Sequence, residues 1–364
     1  MKTFTFTALL LGAITGGFLS QAEAIPYGPC RSSTCCDNSS FSDGRLTVGA
    51  DWLYWNLQAE ALPVYAVTDL APPGSTTVTA TNQNRDVHYL NHNYKSGYRV
   101  NIGYEFPCSN WEFGANYSYI PGYASTGSVT LGEPTATSTQ ILEIPLPSTV
   151  ATNSSNPRTP SFANTYNAHW KSNLSYMDLD LAHKVCFGEC FTLHPHIGFR
   201  AAWGSQLYHG EAALDPTFMP IFFGIESGTL KGTIKQHFHG YGVEGGLWAN
   251  WDVCWGFSLV GHVGGSILLS HYHVNTKTTE NDVATDGLPI TPIVVTTTSS
   301  ANCGTPTVDY FVGLAYSYEM CETVINAHIG WEQHLFFNNV HLNFNHDLGN
   351  FSAQGLTLGM NIGF

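Results

Sequence analysis

The stretch "GYRVNIGYEFPCSNWEFGANYSY", Gly97 to Tyr119, decides the fold. Tyr98, Val100, Ile102 and Tyr104 take alternate positions, and Arg99, Asn101, Gly103 and Glu105 fall between them. After the break "PCSN" the pattern resumes, with Trp111, Phe113, Ala115, Tyr117 and Tyr119 set against Glu112, Gly114, Asn116 and Ser118. A period of two marks strands, and two such runs across a tight turn predict an antiparallel hairpin. Aromatics stand at the ends of the apolar face, as they do in the interfacial girdles of a membrane barrel.

The same pattern predicts three more hairpins. "LSYMDLDLAHKVC" turns at "FGE" into "FTLHPHIGFRAAWG". "GYGVEGGLWAN" turns through "WDVC" into "WGFSLVGHVGGSILL", with Leu259, Val263, Ile267 and Leu269 outward and Ser258, His262, Gly264 and Ser266 inward. "VDYFVGLAYSYE" turns at "MCE" into "TVINAHIGWEQ". A first strand near "LTVGADWLYWNL" and a last one, "GLTLGMNIGF", bring the expectation to about ten spanning strands in a transmembrane antiparallel β-barrel. Polar stretches near 60–94, 121–167, 208–231, 275–305 and 337–350 read as long loops. Short turns then face the periplasm and long loops face outward. The β-prone residues in "LPVYAVTDLAPPGSTTVTA" and "LPITPIVVTTTSS" leave room for a barrel of roughly 12 to 16 strands. A soluble β-sandwich accounts less well for the girdles and the asymmetry of the loops.

Composition agrees. Charged residues make up 11% of the chain and aromatics 13%, where soluble domains carry roughly 25% charge. No run of about 18 apolar residues follows the first 24, which excludes transmembrane helices; alternation hides the apolar content instead. The net charge of −14 argues against nucleic acid, whose binders cluster Lys and Arg. Residues 1–24 read as a secretory signal peptide: Lys2, an apolar run from Phe4 to Leu19, then Ala22-Glu23-Ala24. Residues 25–44 form a Cys-rich periplasmic segment, and 45–364 form the barrel. The final strand places Leu356, Leu358, Met360, Ile362 and Phe364 on one face. A terminal aromatic in that position resembles the signal read by the outer-membrane barrel-assembly machinery, an expected partner.

The segments "DWLYWN", "GYRVNIGYEFPCSNWEFGANYSY", "LSYMDLDLAHK", "LHPHIGFRAAW", "GYGVEGGLWANWDVCWGFSLVGHVGGSILL", "INAHIGWEQHLFF" and "GLTLGMNIGF" resemble the chlamydial and Legionella-type major outer membrane proteins, cysteine-rich porins. The resemblance keeps the order of the segments, covers most strands and touches little of the loops. It implies an integral outer-membrane protein in contact with lipid: a general diffusion channel that also strengthens the envelope through disulfides, in part to other envelope proteins. Trimers are expected from the porin class alone.

Inward charges predicted to line the pore are Arg99, Glu105, Glu112, Asp178, Asp180, Arg200, Glu244, Asp309 and Glu332, with His196 and His262. Carboxylate rings favour cations. Inward glycines such as Gly198, Gly246, Gly264, Gly313 and Gly330 leave space that either water or an infolded loop would fill. The pairs His194/His196, His237/His239 and His271/His273 each share a strand face, but H-x-H without a third ligand or an outer shell is a weak metal signal. Neither metal nor cofactor is expected. Omptin-like proteases are ten-stranded barrels with Asp and His at the outer rim, and His271, His273, Asp282 and Asp286 are nearby here; no spacing singles them out, so no enzyme activity is expected. A surface adhesin or antigen with a closed or plugged barrel is the alternative function.

Nine cysteines in an exported chain point to disulfides. Cys108, Cys186, Cys190, Cys254 and Cys321 fall at the short turns, and Cys30, Cys35 and Cys36 lie in the N-terminal segment. These eight are the candidates for disulfides, and the spacing leaves their pairing open. Cys303 alone is expected in an outer loop.

Overall fold

The computed structural model describes residues 44–60, 63–70, 85–107, 109–130, 139–147, 160–188, 190–214, 225–284, 291–320, 323–341 and 349–364. The expected signal peptide (1–24), residues 25–43 of the expected Cys-rich segment, Cys108, Cys321 and Asp286 lie outside them. The described elements are all strands: β1 (Arg45–Ala59), β2 (Pro63–Leu70), β3 (Arg85–Tyr89), β4 (Asn91–Glu105), β5 (Trp111–Thr130), β6 (Thr139–Pro147) and β7 (Pro160–His183). There follow β8 (Val185–Phe187), β9 (Phe191–Leu214), β10 (Ile225–Cys254), β11 (Phe257–Ala284), β12 (Ile293–Met320), β13 (Thr323–Val340) and β14 (Gly349–Gly363).

Ten of these close a ring. β4 pairs with β5, β5 with β7, and β7 with β9; the series runs on through β10, β11, β12, β13 and β14 to β1, which returns to β4. Every pairing is antiparallel, so backbone donors and acceptors are satisfied between neighbours and no edge faces lipid. Among the described residues, the extra β-prone stretches add no staves to the barrel. "PVYAVTDL" becomes β2, which pairs with β3 and β6 outside the ring, while "IVVTTTSS" is the outer end of β12.

The hairpin of residues 97–119 has the expected register, with Val100 opposite Tyr117 and Ile102 opposite Ala115. Lipid-facing residues include Val100, Ile102, Phe199, Val243, Val263, Ile267, Leu314 and Ile329, all exposed on the outer wall. Trp111, Trp251, Trp255, Phe257, Tyr316 and Phe364 ring the end with the short turns, and Trp52, Tyr54, Tyr98 and Trp203 ring the other. Hydrogen bonds between Leu46 and Phe364 hold the two ends of the barrel chain together at the short-turn end. The β10–β11 turn is Trp255-Gly256, with φ of 54° and 83°. Positive φ at both central residues gives the twist that matches a two-residue hairpin.

The strands are longer than a bilayer requires. About 9–11 residues span one, yet β10 has 30 residues and β11 and β12 have 28 each. β1, β4 and β14 have 15. One side of the barrel, β7 with β9 to β12, therefore stands well above the outer girdle, where the sequence was read as loop. Cys303 is a correction that follows from this. It lies within β12 opposite Ser270 and packs, partly buried, against the interior core.

Candidate functional site

The interior of the barrel has two zones. The outer half is apolar: Leu53, Trp55 and Leu57 of β1 meet Ile120, Trp170, Phe238, Tyr272, Phe336 and Phe351 in one buried cluster. Trp170 and Phe336 both lie against Phe351, with ring centroids 6.3 and 6.2 Å away. Near its end β13 bulges inward: its register against β14 shifts between Phe336 and Val340, with Asn338 at a φ of 54°. Asn339 and Val340 are buried, and the His341 ring lies 4.2 Å from that of Tyr272 on β11. Gln236 on β10, three strands away, fastens this segment: its Nε2 donates to the Asn339 carbonyl at 2.7 Å, and its Oε1 accepts from the His341 backbone N–H at 2.8 Å. An infolded segment thus narrows the outer half of the lumen.

The middle of the lumen is built from charge. Arg99 donates to both oxygens of Glu332, at 2.6 and 3.1 Å, and to Asp51 at 3.3 Å. It also donates to Ser118 Oγ at 2.9 Å and to Tyr176 Oη at 2.8 Å. Glu332 further accepts from Thr357 at 2.9 Å, and His334 Nε2 lies 2.7 Å from it. Arg200 makes a forked pair with Asp178, at 2.7 and 3.0 Å, and reaches Glu244 at 2.8 Å and Asp309 at 2.7 Å. The two arginines come from β4 and β9, three places apart in the ring, with a cavity of about 180 Å³ between their clusters. Two arginines, six carboxylates and four histidines line it.

Four buried polar atoms on this lining find no partner among the described residues: Asn116 Oδ1, His196 Nδ1, His262 Nε2 and Asn361 Oδ1. Buried polar groups are rarely left bare, and a polar space of this size takes water. The cavity is therefore hydrated.

Among the candidate pore residues, Arg99, Asp178, Asp180, His196, Arg200, Glu244, His262, Asp309 and Glu332 all line the cavity. Glu112 lies elsewhere, 3.2 Å from His194, and Glu105 is half-exposed at the periplasmic end, 3.9 Å from Arg45. Asp51, His328, His334, Tyr176 and Trp248 were missed. Parity alone would have found Asp51, which alternates with the outward Trp52 and Tyr54.

The glycines do not leave the lumen empty. Phe311 lies across Gly313 and Gly330, where an added Cβ would come within 2.6 and 2.5 Å of its ring. The His196 ring lies over Gly246, and Asp309 and His262 lie over Gly264. Large inward side chains use these flat stretches of wall to pack against it. No group of three or more His, Cys, Asp or Glu among the described residues is arranged to hold a metal ion. Cys186, Cys190 and Cys254 are at the short-turn end, where the Asp252 N–H donates to the Cys190 carbonyl at 2.8 Å.

A closed ring with a lipid-facing apolar band, aromatic girdles and a charged, hydrated interior defines a transmembrane β-barrel of the outer-membrane type. The chain belongs to the Legionella pneumophila major outer membrane protein precursor family, whose model matches residues 41–364. It is an integral protein of the outer membrane. No curated protein matches the chain in sequence. Among solved structures it is similar to the Escherichia coli outer membrane protease OmpT, at 10% identity and a TM-score of 0.36, over 90% of this chain and 99% of that one. It is also similar to a major outer membrane protein of Thermus thermophilus, at 12% identity and a TM-score of 0.30, over 88% of this chain and 99% of that one.

Proposed function

We propose that this protein is a narrow porin through which ions and small polar solutes cross the outer membrane passively, without chemistry on the solute. The observation that carries this reading is the hydrated cavity between the Arg99 and Arg200 clusters, with its unpartnered polar atoms. A barrel that only needed to be solid would fill its middle with satisfied or apolar groups. Six carboxylates against two arginines leave a negative lumen, which favours cations. The infolded segment at 338–341 narrows the outer half and sets the exclusion limit.

The apolar cluster around Trp55 and Trp170 favours a second reading, a closed barrel that serves as a surface adhesin or antigen. Liposome swelling separates the two. Refolded protein should admit the smallest polar solutes and exclude oligosaccharides; vesicles that swell with no solute would support the closed barrel. In the porin reading, disulfides at the periplasmic turns join the protein to its envelope neighbours and three copies assemble in the membrane. Mass mapping without reductant and cross-linking test those two points.

A further inference from the structure

The tall wall of the barrel carries a basic patch on its outer face. His237 pairs with His273 and His239 with His271 across β10 and β11, and the rings of His239 and His271 are 5.3 Å apart. These side chains point outward, since Gln236, Phe238 and Tyr272 between them are buried inside. Two residues of strand rise about 7 Å, so four imidazoles occupy a block about the size of one phosphate group and its hydration. On the same face Lys235 stands in the next outward pair, opposite Asn275, and Lys277 in the pair after that, opposite Thr233 and about 14 Å of strand above His273. Directly below lie Tyr241, Ile267 and Leu269, exposed residues of the lipid-facing band, and Trp203 of the girdle is opposite His239. The patch therefore begins where acyl chains end and headgroups begin.

Charge makes the patch unusual in this molecule. The chain has a net charge of −14 and only 13 lysines and arginines. Four of those, Lys171, Lys231, Lys235 and Lys277, are on this one face. β7 and β9 add His169 and His209, whose rings are 5.1 Å apart. The opposing charge on the face, among the described residues, is Glu211, 2.7 Å from Lys231. From β12, Asn302 faces His271 at 2.6 Å, and Thr298 and Asn275 lie beside His273.

We propose that this face binds the phosphorylated headgroup of an outer-leaflet lipid, with the phosphate held by the four histidines and by Lys235 and Lys277 while the acyl chains lie on Ile267 and Leu269. The chemistry is charge-assisted hydrogen bonding to phosphate oxygens at the membrane surface, where each basic residue strengthens the attraction to anionic lipid. Burial, helped by Lys235 and His273, lowers the His237 pKa, and burial with His209 and Lys171 does the same to His169. A bound phosphate counters the lowering at His237, so acidification favours binding through the imidazoles. The phosphate monoester itself takes up a proton near pH 6, so the pH effect is read as a difference between variants.

The test uses the full refolded barrel in detergent micelles doped with a bisphosphorylated glycolipid, or with the same lipid after enzymatic removal of its phosphates. The phosphorylated lipid should bind more tightly, and K235Q with K277Q should weaken binding by about fivefold for each charge removed. Replacing the four histidines by Gln should abolish the extra gain in affinity between pH 7.5 and 5.5. Heat-modifiable migration on a gel confirms that each variant is folded, and H239Q with H271Q is the milder alternative should the fourfold variant fail to fold. Equal binding of the dephosphorylated lipid, or full binding by the lysine variant, would overturn the proposal. So would tighter, pH-insensitive binding of a soluble polyanion such as heparin, which would make the face a polysaccharide site.

Discussion

Gln236→Ala tests whether the infolded segment limits passage. In the native barrel the Gln236 amide satisfies two backbone groups of the β13 end, three strands away: the Asn339 carbonyl at 2.7 Å and the His341 N–H at 2.8 Å. Gln236 and Asn339 are both fully buried, so truncation leaves both groups without that partner. An unsatisfied buried group costs about 1–3 kcal/mol, which makes the infolded pose less favourable by at least about 2 kcal/mol. At 1.36 kcal/mol per factor of ten, the segment should leave the lumen on the order of 30-fold more often. Gln236→Met keeps the bulk but makes neither bond, so its effect should match that of Ala. The pairing of β9, β10 and β11 does not depend on this side chain, and the barrel should stay folded. The assay is single-channel recording, with protease cleavage at 338–341 as a second readout. Larger or longer openings and faster cleavage than in the wild type are expected of both variants. Identical traces and cleavage in folded variants would refute the reasoning.

Arg200→Met leaves Asp178, Glu244 and Asp309 facing one another without their shared cation. Breaking a buried ion pair costs about 3–5 kcal/mol, measurable by urea unfolding, and cation preference should rise; unchanged stability would contradict the ion-pair assignment. Val263→Arg places a charge on the outer wall midway between Leu269 and Phe257, where it should cost about 2–4 kcal/mol in a bilayer; a neutral result would mean that this face is not lipid-exposed. His169 is held below the ordinary imidazole value, first by burial and then by His209 and Lys171. The unfolded chain therefore takes up a proton first. Stability from this group is complete above about pH 6.5 and is lost as the pH falls through the lowered value. His169→Gln should flatten that acid limb in thermal melts.

The ring of ten strands was legible because half-exposed strands must alternate, and lipid on one side with a polar lumen on the other makes the alternation sharp. Val100 with Tyr117 and Val263 with His262 show this directly. Strand length was not legible. Above the girdle both faces of β12 are exposed around residues 294–298, so the residues there are rich in Thr with little contrast, and the stretch resembles a loop. Cys303 was misplaced for that reason. The lumen was legible by parity but not by filling. Glycine suggested empty space, whereas Phe311, His196 and Asp309 lie flat across it, a relation between neighbouring strands that one strand's sequence does not contain. The infolded 338–341 segment depends on Gln236, about a hundred residues away, and carries no local signal.

The central claim is that a hydrated, negatively charged lumen conducts. Planar-bilayer recording of refolded protein in a salt gradient tests it most directly. The account expects small discrete conductance steps with a reversal potential of cation-selective sign. A bilayer that stays silent, or a reversal potential of anion-selective sign, would contradict it.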